Sequence, residues 1–178
     1  MALLPRRVKP PTALRKLLDS DERILAVADL AGSPAVVATQ RGLWLPVDGA
    51  DAQWRRVDWD QVVKATWSED GLHVIEGMVD EQGIVSDLPE FTVRFSDARN
   101  LPTVVRTRVE SSIGRWEQVR VPGGTGRLVG RRVAGVDGLR WTARLDTGTP
   151  DSPAAREALV DYLGQVARMT PEQLFPGG

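Results

Sequence analysis

The chain has 178 residues, 42% of them apolar, with 23 basic and 24 acidic side chains and a formal net charge of −1. That length and apolar content suffice to bury a core of ordinary size in one large domain or two small ones. There is no cysteine, which excludes disulfides, thiolate nucleophiles and every zinc site that needs a Cys ligand.

The opening Met1-Ala2-Leu3-Leu4-Pro5-Arg6-Arg7 reaches charge before it builds the apolar stretch of about 7–15 residues that a signal peptide needs. No later apolar run approaches the roughly 18 residues of a membrane span, so no transmembrane segment and a cytoplasmic location are expected. Residues 1–11, with three prolines and three basic residues, read as a flexible arm. Thr12 then caps a short helix with Leu14, Leu17 and Leu18 on one face, ended by Asp19-Ser20-Asp21. Strand signals follow at Ile24–Asp29, Ala35–Thr39, Gly42–Val47, Trp54–Val57, Val62–Trp67, Leu72–Met78 and Phe91–Phe95. In the last, Phe91, Val93 and Phe95 alternate with Thr92 and Arg94, the period of a half-buried antiparallel strand. Seven short strands in about 70 residues imply a barrel or sandwich.

The period changes at Asn100 or Leu101, where a helix begins with Pro102 in its first turn and Leu101, Val105 and Val109 in one stripe. Seven strands capped by an amphipathic helix is the element order of the pleckstrin-homology superfold. The hairpin from Val37 to Leu45, with Thr39-Gln40-Arg41-Gly42-Leu43 at its turn, resembles the Thr-x-Arg-x-Leu hairpin of bacterial pleckstrin-homology-like domains. The segment from Trp54 to Val62 is similar to the strand-turn-strand they place next. With the helix Val104 to Val109, the set also resembles an actinobacterial family of uncharacterised proteins, over roughly residues 20–112. These motifs are structural, so the resemblance implies a fold and no chemistry. Lipid recognition is not carried over, because the first hairpin loop, Ala31-Gly32-Ser33-Pro34, has none of the bases that phosphoinositide-binding members place there.

Three more strands are predicted, Ile113–Val121, Arg127–Ala134 and Leu139–Leu145, with turns at Pro122 to Gly126 and Gly135 to Gly138. Ser152 caps a last helix with Pro153 at its first position and Leu159, Leu163 and Val166 in a stripe. The expected organisation is therefore α+β: a flexible arm over 1–11, a pleckstrin-homology-like antiparallel barrel with capping helix over 12–112, a three-stranded antiparallel sheet with a packed helix over 113–169, and a tail over 170–178.

Most chemical motifs have a bland explanation. His73 is the only histidine and stands in a strand without a second ligand-like residue at short spacing; as a metal ligand or general base it would need a partner such as Asp70 or Glu76, and it reads instead as a surface or satisfied structural histidine. Asp58 and Asp60 flank Trp59 as turn residues. Gly123-Gly124-Thr125-Gly126-Arg127 lacks the Walker Gly-Lys-Ser/Thr and is followed by a strand, so it reads as a hairpin turn. The serines have no nucleophile-elbow context, and the six tryptophans read as sheet packing. No catalytic site, metal or cofactor is expected.

Charge is distributed unevenly. Residues 48–98 hold twelve acids and four bases, net −8, whereas residues 99–145 hold ten arginines against Glu110, Glu117 and Asp137, net +7. In the last strand Arg140, Thr142 and Arg144 alternate with Leu139, Trp141, Ala143 and Leu145, so one face is basic, and Arg127 and Arg131 share a parity on the neighbouring strand. Arg127, Arg131, Arg140 and Arg144 thus form a candidate face for a protein partner or an anionic surface. Two alternatives stay open: the basic region faces the acidic one within the molecule, or helix, three strands and helix from residue 101 form an RNA-binding unit. The final helix, with only Arg156 and Arg168, offers little phosphate contact for the latter.

Overall fold

The computed structural model describes residues 10–30, 33–47 and 53–169. The expected arm as far as Lys9, residues 31–32 of the first hairpin loop and the tail 170–178 lie outside the described residues. The chain divides into two compact units, one holding residues up to Glu76 and Pro89–Glu110, the other Gly77–Leu88 and the chain from Ser111.

In the first unit α1 (Thr12–Arg15) is a single turn that buries Leu14 completely. Thr12 is not its cap. Pro11 holds that position at φ −54 and ψ 138, and no side chain caps the turn, because a proline ring has no acceptor to offer. Along the chain then come β1 (Ile24–Leu30), β2 (Ser33–Thr39), β3 (Gly42–Val47), β4 (Gln53–Asp58), β5 (Val62–Ser68), β6 (Gly71–Val79), β7 (Val85–Asp87), which belongs to the second unit, β8 (Phe91–Val93), β9 (Phe95–Asp97) and α2 (Leu101–Ser112). One sheet has the order β4-β3-β2-β1-β9, and in the other β5 and β8 both pair with β6. All these ladders are antiparallel.

The apolar runs of β1 and β2 are unbroken because both of their faces are covered. Ala26, Ala28, Val36 and Ala38 enter the main core with Leu43, Val57, Leu72 and Val74. Val27, Ala35 and Val37 face the other way and pack with Leu14, Trp44 and Trp54. The stripe predicted for α2 closes the main core, with Leu101 and Val105 buried and Val109 packed beside them.

Among the described residues the strands form no closed barrel. β4 and β5 share no ladder, so the wall is open between them. The Asp58–Gln61 turn, closed by Gln61 N–H donating to the Asp58 carbonyl at 2.9 Å, carries the chain out of one sheet and into the other instead of making a hairpin. Trp59 is buried in this turn and donates Nε1–H to the Thr39 carbonyl at 3.0 Å. The seventh expected strand is split at Arg94, its first part pairing with β6 and its second with β1.

The second unit contains β10 (Ile113–Val121), β11 (Gly124–Arg131) and β12 (Arg140–Leu145) as an antiparallel sheet in chain order, and α3 (Pro153–Val166). It also takes in Gly77–Leu88, where β7 pairs with the end of β6 and Ile84 reaches the core. Sequence pattern missed β7, whose three residues are too few to show a period. Val119, Val121, Leu128 and Ala143 of the sheet pack with Ala155, Leu159 and Val166 of α3. Ser152 caps α3 as expected, its hydroxyl accepting from Ala155 N–H at 3.2 Å, with Pro153 at the first position.

The expected five-residue turn is tighter. Val121 pairs with Gly124 across Pro122-Gly123 alone, with Gly123 at φ +84, the left-handed value a type II turn requires after proline. Gly124 and Gly126 belong to β11. A Cβ on Gly126 would lie 2.8 Å from Leu159 Cδ2 and 2.8 Å from the Arg144 carbonyl, so glycine lets α3 approach the sheet. Among the described residues no helix is long and apolar enough to cross a membrane.

Candidate functional site

Side-chain alternation on β11 sends Gly126, Leu128 and Gly130 inward, all buried, and Thr125, Arg127, Val129 and Arg131 outward. Register then fixes their neighbours. Arg127 stands directly opposite Arg144, and Arg131 opposite Arg140. The four residues predicted from parity are therefore brought onto one face. β10 adds Trp116, Gln118 and Arg120, opposite Val129, Arg127 and Thr125. Trp116 is 61% exposed, and the Arg127 guanidinium lies 5.8 Å from its ring centroid.

Two arginine–arginine cross-strand pairs oppose folding, and the face offsets part of that cost. Asp146 lies 2.9 Å from Arg127 Nε and accepts from Gln118 Nε2 at 3.0 Å and Thr125 Oγ1 at 2.7 Å. Arg144 Nη2 lies 3.1 Å from Asp87. Arg131 Nη1 donates to Ser112 Oγ at 2.7 Å. The contact of Asp87 with Arg144 realises part of the internal charge complementarity, since Asp87 comes from the acidic stretch. Register places Arg120, Arg127, Arg131, Arg140 and Arg144 on this face, with Asp146 beside Arg127 and Asp87 beside Arg144.

Burial pushes the Asp146 carboxyl up, but hydrogen bonds from Gln118 and Thr125 and the charges of Arg127 and Arg144 outweigh it and hold the group below the ordinary carboxylate value. A depressed folded pKa contributes stability that is complete above the unfolded value of about 3.9 and is lost as pH falls through the folded one. Asp146→Asn is therefore expected to lower stability at neutral pH and to converge with the parent in acid. Chemical denaturation across pH measures this, and parallel curves would show that the carboxylate is not held.

The partners of His73 differ from those guessed. Its Nε2 is 2.8 Å from Ser68 Oγ, and its Nδ1 is 3.2 Å from Glu90 Oε1 and 3.0 Å from Thr92 Oγ1. Neither Asp70 nor Glu76 is its partner, because β8 brings residues 90–92 beside β6 through a ladder that local spacing does not encode. The order serine, histidine, acid matches a hydrolytic triad. Ser68 Oγ, however, also accepts the turn bond from Asp70 N–H at 3.2 Å, and Ser68 and Glu90 are exposed. The cluster joins β5, β6 and β8 across their outer surface.

A concavity of about 1160 Å³ in the second unit has apolar walls that include Leu139, Trp141, Val160 and Leu163, and mixed charges at Glu81, Arg132 and Asp137. Among the described residues no three His, Asp or Glu side chains gather as metal ligands. Comparison with family models, with curated proteins and with solved structures finds no match.

Proposed function

We propose that the chain is a non-enzymatic binding protein, with a pleckstrin-homology-like first unit and a second unit whose arginine-lined sheet face docks an anionic surface of a protein partner. The observation that carries this reading is the register of β11 and β12, which sets Arg127 against Arg144 and Arg131 against Arg140. Opposed like charges cost folding energy, and a positive field on one face steers and orients an acidic partner. For the first unit, the support is the strand series closed by the Leu101–Val105 stripe of α2. Phosphoinositide binding is not part of the proposal. Arg41, the basic residue of the β2–β3 turn, is engaged by Asp19 at 2.9 Å and Asp21 at 2.7 Å, and its hydrogen bond holds the Asp21 carboxyl below its ordinary range.

The RNA-binding alternative needed α2, the three strands and α3 in one unit. α2 instead buries Leu101 and Val105 in the core of the first unit. Arg156 of α3 is tied to Asp80 and Asp151.

The double change Arg140→Glu and Arg144→Glu tests the face. Retention on immobilised poly-glutamate is expected to fall by about tenfold or more, and parent retention to weaken as salt rises past about 0.15 M. Melting should fall only modestly, since the Arg144–Asp87 pair that the change breaks is partly exposed and such pairs contribute about 0–1 kcal/mol. Melting lowered by several degrees with retention intact would make these arginines internal partners of the acidic stretch and end the proposal.

A further inference from the structure

The two edges of the arginine-bearing sheet are not equivalent. At β12 the outer edge is occupied: Ala143 N–H donates to the Gly83 carbonyl at 3.0 Å, and Ile84 bridges to Ala143. At β10 every ladder partner lies on β11, and among the described residues no strand pairs with its other side.

The register shows which β10 groups point outward. A two-residue turn makes Val121 and Gly124 a hydrogen-bonded pair, and bonded and non-bonded pairs alternate from there. Val119 and Glu117 are then bonded to β11, whereas Arg120, Gln118 and Trp116 direct N–H and C=O away from it. The same alternation appears across the sheet, where the Thr125 carbonyl, opposite Arg120, accepts from Asp146 N–H at 3.0 Å. Arg120, Gln118 and Trp116 are also the β10 residues whose side chains stand on the arginine face. One line of residues therefore offers backbone groups with no strand partner among the described residues, an exposed indole and positive charge together.

We propose that the partner is an extended acidic peptide segment that adds to the sheet as a fourth strand along β10. This deepens the docking reading above and rests on it. Backbone pairing supplies the affinity, as in other strand additions, and side chains at every second position supply the choice of sequence. Charge complementarity names the occupant: a strand in this place sets alternate side chains beside Arg120, Gln118 and Trp116, with Arg127 one strand behind. The motif is an acidic residue opposite Arg120 and an apolar residue opposite Trp116, four positions apart.

The test uses the full chain and a dye-labelled peptide, Asp-Val-Asp-Val-Phe-Val-Asp-Val-Asp, followed by fluorescence anisotropy. Gln118→Pro removes an outward N–H and sets a ring in the peptide's path while sparing the bonds to β11. Gln118→Ala removes only the side chain and its bond to Asp146. Proline is expected to weaken binding by about tenfold or more and alanine by less than about threefold, with similar melting for both. If Gln118→Pro binds like the parent while Arg140→Glu with Arg144→Glu does not, strand addition fails and the docking face stands. If none of these variants changes binding, both readings fail. Tighter binding of a twelve-nucleotide oligothymidylate, insensitive to Gln118→Pro, overturns the peptide in favour of nucleic acid. A parent dimer in sedimentation that Gln118→Pro dissociates overturns it in favour of a second copy of the chain.

Discussion

Glu22→Ala is expected to destabilise the first unit by about 3 kcal/mol, read as a shift of the urea midpoint. The Glu22 side chain is 0% exposed. Its Oε1 accepts from Thr39 Oγ1 at 2.6 Å and Trp44 Nε1 at 2.8 Å, and its Oε2 faces Asp19 N–H at 3.4 Å and Arg56 Nη1 at 3.5 Å. Thr39 can turn its hydroxyl to the Gly42 carbonyl, already 3.2 Å away, but the buried Trp44 N–H would be left without an acceptor. An unmet buried donor costs about 1–3 kcal/mol, and loss of the facing charge adds to it. Glu22→Gln retains a carbonyl acceptor and should lose roughly half as much. An alanine variant within about 0.5 kcal/mol of the parent would show that water replaces the carboxylate without cost.

Leu159→Ala in α3 is expected to cost about 3 kcal/mol, because Leu159 is wholly buried in the core of the second unit and its removal leaves a cavity. Gly126→Ala should also be damaging, since the new methyl would meet Leu159 Cδ2 and the Arg144 carbonyl, each at 2.8 Å. The leucine contact is relieved in the double variant and the carbonyl contact is not. The two changes together should therefore cost less than their sum by about 1 kcal/mol. Strict additivity in thermal melts would mean that helix and sheet do not approach through that glycine.

Much of this protein is written in local periods. The two-residue alternation of β11 and β12 placed Arg127, Arg131, Arg140 and Arg144 on one face, since parity and a tight Pro-Gly turn leave little freedom of register. The 3.6-residue stripe of Leu101, Val105 and Val109 and the Ser152-Pro153 start of α3 were legible for the same reason: each depends on neighbours within one or two turns. The Pro122-Gly123 turn was placed too broadly, because glycine serves both turns and close packing, and only α3 lying on Gly126 separates the two uses.

Tertiary structure decided what depends on segments far apart in the chain. It brought Glu90 to His73, Asp87 to Arg144 and Trp44 to Glu22, and it left β4 and β5 without a ladder between them. No local period records these choices, because alternation states which side chains leave a strand on the same side but not which distant segment meets them there. For the arginine face, parity determined its members, and the fold determined how much of its charge Asp87 and Asp146 offset and that the β10 edge beside it has no strand partner among the described residues.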